Sequence, residues 1–411
     1  MTAFRLTLHR SPLLGEFKHE CDCQKHDTIE STRHPFRRRG STPEQSTMKQ
    51  LLLIVAIAVI SAHAFDDCVA TAQFKERVRN TEKLVPRFYL GLIHAPEVHA
   101  EIGLSPNQTK KLERLFAIID GRWLRARNQP QAAQLEQLLQ LESEARQWFE
   151  SNTEPKQRDR LRQLELQAQD IRILLRPDIN KALSMTTEQA DRMAALARST
   201  EDAKQQLQSA VRKNEPTESL KQAVADAIRV EKDGLQTVLK TEQLRAIDQI
   251  LGAPFNTNQL QRIYPMAPEL VPVRHWINSE PLTLKSQRGK VVLLHFYAFQ
   301  CHNCHANFEH YRKWHEQFGD DVVVIGIQTP ETSLEQKPDA VRAAAQKRGL
   351  KFPILVDLDS ENWKTWSNTM WPTVYVIDRD GYIRQWWQGE LNWKGATGDQ
   401  TIESLVRKLI Q

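Results

Sequence analysis

The chain has 411 residues and a formal net charge of +5, and 40% of its residues are hydrophobic. This length leaves room for two hydrophobic cores. No basic stripe with interleaved aromatic residues is present, so the sequence does not indicate nucleic-acid binding. The five cysteines do not form a disulfide framework, so we expect the fold to rest on its apolar cores.

A short hydrophobic segment near the N-terminus is typical of a secretory signal peptide. Residues 48–50 give a basic start, residues 51–60 an apolar core and residues 61–64 a small-residue cleavage site. The apolar run is too short to span a bilayer. We therefore predict a signal peptide at 48–64, a secreted or periplasmic protein, and no membrane contact after cleavage. Residues 1–47 lack apolar periodicity, and we interpret them as a mis-assigned upstream segment.

Cleavage after Ala64 would change both the charge and the cysteine count. The remaining chain has 47 basic and 45 acidic residues, so the basic character belongs mostly to the segment that is removed. It keeps Cys68, Cys301 and Cys304. An odd cysteine in an exported protein indicates a free thiol or an intermolecular bridge, and we expect Cys68 to be a free thiol.

Residues 65–252 are predicted to form an α-helical domain. Apolar residues recur every three or four positions, as in amphipathic helices with one buried face. The helical pattern is interrupted at four prolines, which indicates an antiparallel bundle; these are Pro130, Pro155, Pro177 and Pro216. Gly252 is expected to end the last helix, and residues 253–273 to form an extended, proline-rich linker.

Three segments of the helical region share a similar pattern. They are Leu104–Gln108, Met185–Gln189 and Leu239–Gln243. They resemble the Leu-Thr-x-x-Gln motif of Spy and CpxP-type periplasmic chaperones, which would make the bundle a module that presents unfolded clients to a neighbouring site. Ser105 with Gln108 and Thr186 with Gln189 also fit a helix capping box, whereas Lys240 breaks both patterns. The unequal spacing of the segments argues against a repeat. Both interpretations stay open.

Residues 274–411 are predicted to form a one-domain α/β layer fold, because strands and helices alternate there. The predicted strands are Val291–Phe299, Val322–Ile327, Ile354–Val356, Thr373–Ile377 and Tyr382–Trp387. The predicted helices are an active-site helix through Phe308, Tyr311, His315 and Phe318, then Pro338–Arg348 and Thr401–Ile410. The first strand is apolar throughout, which is typical of a strand buried on both faces of a largely parallel sheet.

Two cysteines separated by two residues follow this first strand, where a helix should begin. That placement is typical of a thiol–disulfide oxidoreductase, because the N–H groups at a helix N-terminus stabilise a thiolate. Cys301 would be the exposed attacking sulfur, and Cys304, one turn later, the resolving sulfur. Such a protein needs no cofactor besides its redox-active Cys301–Cys304 disulfide.

The region from about Arg274 onwards resembles the thioredoxin-like domains of the TlpA and redoxin group, within it the branch found at the C-terminus of DipZ-type proteins. The matching segments are Trp276–Leu284, Arg288–Leu294, Cys301–Cys304, Gly326–Glu331 with Glu335, and Asn368–Thr373 followed by Val376–Asp378 and Gly381. The resemblance implies a reductase that acts on protein thiols and disulfides and receives electrons from an upstream thiol–disulfide donor. It also implies that Pro372 is cis, and that Trp371, Pro372 and Thr373 bind substrate, with the Trp371 backbone free to pair with an extended chain.

Three positions matter for how such a site would work. His295 occupies the place where thioredoxins bury an acid, so it either takes a proton from Cys304 or is a neutral core histidine. His302 either stabilises the Cys301 thiolate, which would favour an oxidase or isomerase, or is a solvated spacer. Asn307 stands where the cytochrome-maturation branch has glutamate, which argues against a dedicated role in reducing apocytochromes.

Other chemistries fit the same cysteines less well. Cys301, Cys304 and His305 match the attachment motif for c-type haem, but haem attachment needs neither the buried strand nor the Trp-Pro-Thr segment. No metal site is expected, because a structural zinc site wants four ligands and no second cysteine pair exists. A peroxiredoxin usually has proline and Thr or Ser where this chain has Leu294 and Ala298. A non-enzymatic alternative is a helical binding or chaperone protein with an auxiliary redox domain.

Overall fold

The computed structural model describes residues 81, 83–213, 215–260 and 262–411. The predicted signal peptide, the upstream segment and Cys68 lie outside the described residues. The chain divides into two compact units: Phe88–Glu165 belongs with Phe255–Gln411, and Leu166–Pro254 with the described residues up to Arg87. The predicted domain boundaries stay a prediction, but a division at Glu165 was not expected. Among the helices that the structure describes, none is long and apolar enough to cross a membrane.

In the described part of the chain, the first unit begins with five helices, of which the last two start at the predicted breaks, Pro130 and Pro155. They are α1 (Tyr89–His94), α2 (Pro96–Glu101), α3 (Pro106–Ala126), α4 (Gln131–Asn152) and α5 (Pro155–Gln169), the last of which continues into the second unit. Proline lacks an N–H group and is therefore tolerated in the first turn of a helix but not further in. A short turn joins α3 to α4, and the two helices pack against each other as a hairpin.

After the end of α5, the described part of the second unit contains a 3₁₀ turn and four further helices. They are Asp170–Leu175, then α6 (Pro177–Ala182), α7 (Thr187–Arg212), α8 (Glu218–Val238) and α9 (Thr241–Leu251). Helices α7 and α8 approach closely at Gly234, where a Cβ atom would lie 2.6 Å from the Leu196 side chain. Gly252 ends α9 with a positive φ of 65°, as predicted, because a left-handed residue closes the helix without steric cost.

The rest of the first unit is built on a six-stranded mixed sheet. Its strands are β1 (Trp276–Ile277), β2 (Val291–Tyr297), β3 (Val322–Gln328), β4 (Ile354–Val356), β5 (Thr373–Ile377) and β6 (Ile383–Gln388), in the spatial order β1-β4-β3-β2-β5-β6. Strands β2, β3 and β4 are parallel, and β1, β5 and β6 pair antiparallel. The predicted strands are confirmed apart from their ends, and the two-residue strand β1 was missed.

Helices cover this sheet so that β2 is buried along its whole length. The helices are α10 (His302–Gln317), α11 (Pro338–Lys347), α12 (Glu361–Thr365) and α13 (Gly398–Ile410). Alternate residues of a strand face opposite sides. Leu293 therefore packs with residues of α10, α11 and α13, whereas Phe296 packs with Trp366, just after α12, and with Leu124 of α3. The predicted α/β fold is confirmed, and one sheet face is partly covered by the helical hairpin.

The second half of the predicted linker is extended but fixed to the sheet. Met266 forms a β-bridge with Tyr382, and the Ala267 N–H donates to the Gly381 carbonyl at 2.9 Å. The Met266 N–H also donates to the Asp120 carboxylate at 2.7 Å. That carboxylate pairs with the fully buried His94 at 2.9 Å. One buried histidine–carboxylate hydrogen bond thus joins helices α1 and α3, and the same carboxylate holds the extended segment.

Candidate active site

The two cysteines lie where β2 gives way to α10. Cys301 is the N-terminal cap of α10 and is partly exposed, whereas Cys304, one helical turn later, is fully buried. The Cys301 N–H donates to the Ala298 carbonyl at 3.2 Å, which closes the turn after the strand. Both cysteines are free thiols. One sulfur is accessible to a large partner and the other only to its neighbour.

The two thiols differ in acidity because of their hydrogen bonds and burial. The Cys304 thiol donates a hydrogen bond to the Cys301 sulfur and, with the backbone N–H groups of Asn303 and Cys304, lowers the pKa of Cys301 to about 7. Partial burial and the nearby Glu331 charge oppose this shift. Burial raises the pKa of Cys304 well above its ordinary value. At neutral pH a large fraction of Cys301 is therefore thiolate, while Cys304 keeps its proton.

A buried carboxylate holds the backbone just before Cys301. Glu335 is fully buried, and its two oxygens accept the backbone N–H groups of Gln300 at 2.7 Å, Glu331 at 2.7 Å and Thr332 at 2.9 Å. These bonds tie the loop after β3 to the turn that carries the cysteine. The sequence suggested Glu335 only as part of a matching segment and gave it no role, because its partners are backbone groups from two different loops.

The Trp371–Pro372 peptide bond is cis, as the resemblance implied. The Gly389 N–H donates to the Pro372 carbonyl at 2.8 Å. Asn307, buried on α10, donates to the Gly389 carbonyl at 3.1 Å and accepts the Leu391 N–H at 2.9 Å. The amide that replaces the glutamate of the cytochrome-maturation branch therefore joins α10 to the segment that contacts Pro372.

The three predicted substrate-binding residues lie where the loop enters β5: Trp371 and Pro372 precede the strand and Thr373 is its first residue. Trp371 packs against the same apolar cluster as Cys301, and Cys304 is a member of that cluster. Its ring stacks on Trp363 at a centroid distance of 4.1 Å. In the part of the chain that the structure describes, the Trp371 backbone N–H and C=O have no hydrogen bond. The buried Thr373 side chain donates to the Met370 carbonyl at 2.9 Å, so it supports the loop.

His295 is a fully buried ring among aromatic side chains. It stacks on Tyr311 at 4.0 Å and on Tyr297 at 5.2 Å, with the edge of Phe352 at 5.1 Å. Neither ring nitrogen has a hydrogen-bond partner, and burial lowers the pKa of His295 to about 3. These features favour the neutral core histidine over the proton acceptor, because a base this weak takes a proton from Cys304 poorly.

The two histidines of α10 near the cysteines differ in their surroundings. His302, the first residue of the helix, is exposed. His305 Nε2 lies 2.6 Å from the Phe299 carbonyl and Nδ1 lies 3.0 Å from the Arg348 guanidinium. With the proton on Nε2, that nitrogen donates and Nδ1 accepts, so both nitrogens are used within the protein. This arrangement argues against His305 as an axial ligand to haem iron.

The three segments that resemble the chaperone motif all lie at helix N-termini and cap them. Ser105 with Gln108 and Thr186 with Gln189 form the predicted capping boxes. Gln243 also accepts the N–H of Lys240, at 2.9 Å. A fourth cap was missed: Gln157 accepts the N–H of Glu154 at 2.9 Å.

The four cap glutamines form two pairs, and each pair is built in the same way. Gln108 and Gln157 exchange hydrogen bonds at 2.9 and 3.3 Å, and Gln189 and Gln243 do so at 2.9 and 3.1 Å. The members of the pairs are 49 and 54 residues apart. The two pairs are thus built alike although their spacing is unequal, and the interpretation that the segments do not form a repeat stays a prediction. The fourth glutamine follows Thr153, Glu154 and Pro155, so the shared pattern could not find it.

Comparison with known proteins confirms the resemblance for the C-terminal region. Residues 271–386 match the AhpC/TSA family, so this region is a redoxin domain with a thioredoxin-like α/β fold. The match includes Cys301, Cys304 and Pro372 and ends within β6.

Several relatives match about a third of the chain. Protein DipZ of Mycobacterium bovis is 37% identical over 149 residues, which are 35% of this chain and 20% of DipZ. The thiol-disulfide oxidoreductase YkuV of Bacillus subtilis is 24% identical, over 35% of this chain and 93% of YkuV. Among solved structures, a thiol-disulfide isomerase from Corynebacterium glutamicum is 26% identical over 36% of this chain and 96% of its own, with a TM-score of 0.31. The chain thus spans about a fifth of the DipZ protein.

Proposed function

We propose that this protein is an exported thiol–disulfide oxidoreductase that reduces disulfides in other proteins through Cys301 and Cys304. The observation that carries the proposal is the pairing of an accessible sulfur at a helix N-terminus with a buried thiol one turn later. The unpaired Trp371 backbone and the matches to thiol–disulfide oxidoreductases support it. Export is proposed from the signal-peptide pattern at residues 48–64.

The reaction would proceed in two exchanges that conserve electrons and atoms. The Cys301 thiolate attacks one sulfur of the substrate disulfide, the substrate S–S bond breaks, and one substrate thiolate leaves and takes a proton from water. Cys304 then loses its proton and attacks the Cys301 sulfur, which releases the second substrate thiolate. The substrate gains two electrons and Cys301–Cys304 becomes a disulfide. An upstream dithiol donor must reduce that disulfide before the next cycle, and no cofactor is required.

The acidity of Cys301 supports the reducing direction. A pKa of about 7 is similar to that of reducing thioredoxins, whereas strongly oxidising members have values of about 3.5. A very stable thiolate would make the disulfide form easy to reduce and hence a strong oxidant. His302, exposed beside the cysteine, would moderate the thiolate only through solvent, so we assign it a minor role. His295 serves as a buried neutral ring.

Trapping the mixed disulfide tests this function. Cys304→Ser leaves the attacking sulfur but removes the resolving one, so it should accumulate a covalent adduct with an oxidised protein such as insulin. The matched variant Cys301→Ser keeps the buried thiol and should form no adduct. Adducts of equal yield from both variants, or from neither under conditions in which the wild-type protein reduces insulin, would contradict the assigned roles.

A second candidate function is binding of unfolded proteins by the helical part. The paired glutamine caps favour it, since three of the four glutamines lie in the segments that resemble the motif of Spy and CpxP-type chaperones. Because Phe88–Glu165 belongs with the redoxin region, a helical fragment alone is a poor test. The mature chain with both Cys301→Ser and Cys304→Ser should suppress aggregation of an unfolded client as well as the wild type does. Absence of suppression by both proteins would remove this function.

A further inference from the structure

Two side chains from the helical hairpin contact the loop that leads to Pro372. Arg127 and Asn128 directly follow helix α3. The Arg127 guanidinium donates to the carbonyl of Trp366 at 2.7 Å and to that of Ser367 at 3.4 Å, and the Asn128 amide also donates to Ser367. These carbonyls lie just past the end of α12, where a helix leaves its last C=O groups without partners. The hairpin therefore completes the end of that short helix.

The same guanidinium also reaches the strand beyond the loop. Arg127 donates to the Tyr375 hydroxyl at 2.6 Å, and that hydroxyl donates to the Asn368 side chain at 2.7 Å. Asn368 precedes Pro372 by four residues and Tyr375 follows it by three. One chain of hydrogen bonds thus holds the segment on both sides of the Trp371–Pro372 bond.

Arg127 is itself held in place. Its second terminal nitrogen, Nη1, donates to the Leu124 carbonyl at 2.6 Å. The guanidinium carbon lies 5.7 Å from the ring centres of both Tyr375 and Trp386. The Leu124 side chain is buried in the same apolar cluster as Tyr375. Burial lowers the pKa of Arg127 from its usual value, but a guanidinium keeps its charge at neutral pH. Arg127 therefore presents a charged guanidinium to the loop in a fixed orientation.

We propose that Arg127 is a positioning residue for polypeptide substrates, which holds the Trp371 backbone where an extended chain can pair with it. The inference rests on the proposed function, because it assumes that Cys301 attacks protein disulfides. No hydrogen bond joins Arg127 to Cys301 or Cys304 in the described residues, so the thiol chemistry itself should not depend on it. A disulfide that offers no backbone for pairing should therefore be insensitive to Arg127.

Comparing two substrates tests this inference in the full mature protein. Arg127→Gln should lower kcat/KM for insulin reduction about tenfold, mainly by raising KM, because the loop loses a charged partner. Its rate with hydroxyethyl disulfide and the pH profile of Cys301 alkylation should equal those of the wild type. Arg127→Lys keeps the charge but cannot bridge both sides of the loop, so it should be intermediate.

Arg125→Gln is the matched control, because it removes a guanidinium two residues away whose side chain makes no hydrogen bond in the described part of the chain. It should behave as the wild type with both substrates. An unchanged insulin rate in Arg127→Gln, or an equal loss with both substrates, would overturn the inference. If Arg127→Gln does not fold, Arg127→Lys and Asn128→Ala replace it in the test. Unchanged rates of insulin reduction in both variants would then overturn the inference. A wild-type protein that is inactive with both substrates would instead refute the proposed function.

Discussion

Replacement of His295 by leucine should make the protein less sensitive to acid. The folded chain holds this ring neutral, with a pKa of about 3, whereas the unfolded chain protonates it at about 6.5. The unfolded state therefore binds a proton that the folded state cannot hold. The folded-state pKa is the lower one, so the stability contribution is complete above pH 6.5 and is lost as the pH falls towards about 3.

The expected loss of stability depends on how far the pH lies below the pKa of His295 in the unfolded chain. At about pH 4.5, two units below it, the free energy of unfolding should have fallen by about 3 kcal/mol through this residue alone. Leucine does not titrate, so the variant escapes that loss. The substitution also removes the stacking on Tyr311 and two buried nitrogens without partners, but these packing effects are the same at both pH values and cancel in the comparison.

The assay is urea unfolding of the reduced wild type and of His295→Leu at about pH 7.5 and about pH 4.5. The variant should gain about 3 kcal/mol relative to the wild type between the two conditions. His302→Ala, which removes an exposed imidazole, serves as the control and should follow the wild type. Equal losses in wild type and His295→Leu would show that the ring is not held neutral by burial. A shifted pH profile of disulfide exchange in His295→Leu would instead restore the proton-acceptor hypothesis.

Three further substitutions test the surroundings of the site. Glu335→Gln should lower the free energy of unfolding by about 1–3 kcal/mol in urea titrations. The NH₂ group of the new amide would face a backbone N–H, such as that of Gln300, which now donates a hydrogen bond to the carboxylate. Glu331→Gln should lower the pKa of Cys301 further, because the Glu331 charge raises that pKa in the wild type. Alkylation of Cys301 below about pH 7 should therefore be faster in the variant, and a slower rate would contradict this. Asp120→Asn removes the carboxylate that hydrogen-bonds to the buried His94 ring and accepts the Met266 N–H, and should cost about 1–3 kcal/mol by the same titration; an unchanged free energy of unfolding would mean that these bonds carry no net stability.

The sequence predicted those features that depend on short stretches of chain. The apolar run from Val291 and the cysteine pair after it specify a buried strand and a helix N-terminus, and the prolines mark helix starts. The two-residue strand β1 and the five-residue helix α12 were missed, because so few residues show no periodicity.

Features that depend on distant partners were beyond sequence reasoning. The apolar face of α3 shows that something covers it, but not that Leu124 packs on the sheet. Glu335, Arg127 and Gln157 bind backbone groups from other segments, and nothing in their own neighbourhood in the sequence indicates those partners. Conversely, the pattern around His295 left two roles open, and only its burial without a hydrogen bond favours one of them.

The reduction potential of the Cys301–Cys304 couple in the mature protein tests the central claim most directly. Equilibration with glutathione buffers, followed by quantitation of free thiols, would give its value and its electron count. We expect a two-electron transition at about −220 mV or below, as for reductases that need a dedicated donor. A value of about −120 mV would mark an oxidant, and the absence of any two-electron transition would contradict the assignment of these cysteines as a redox couple.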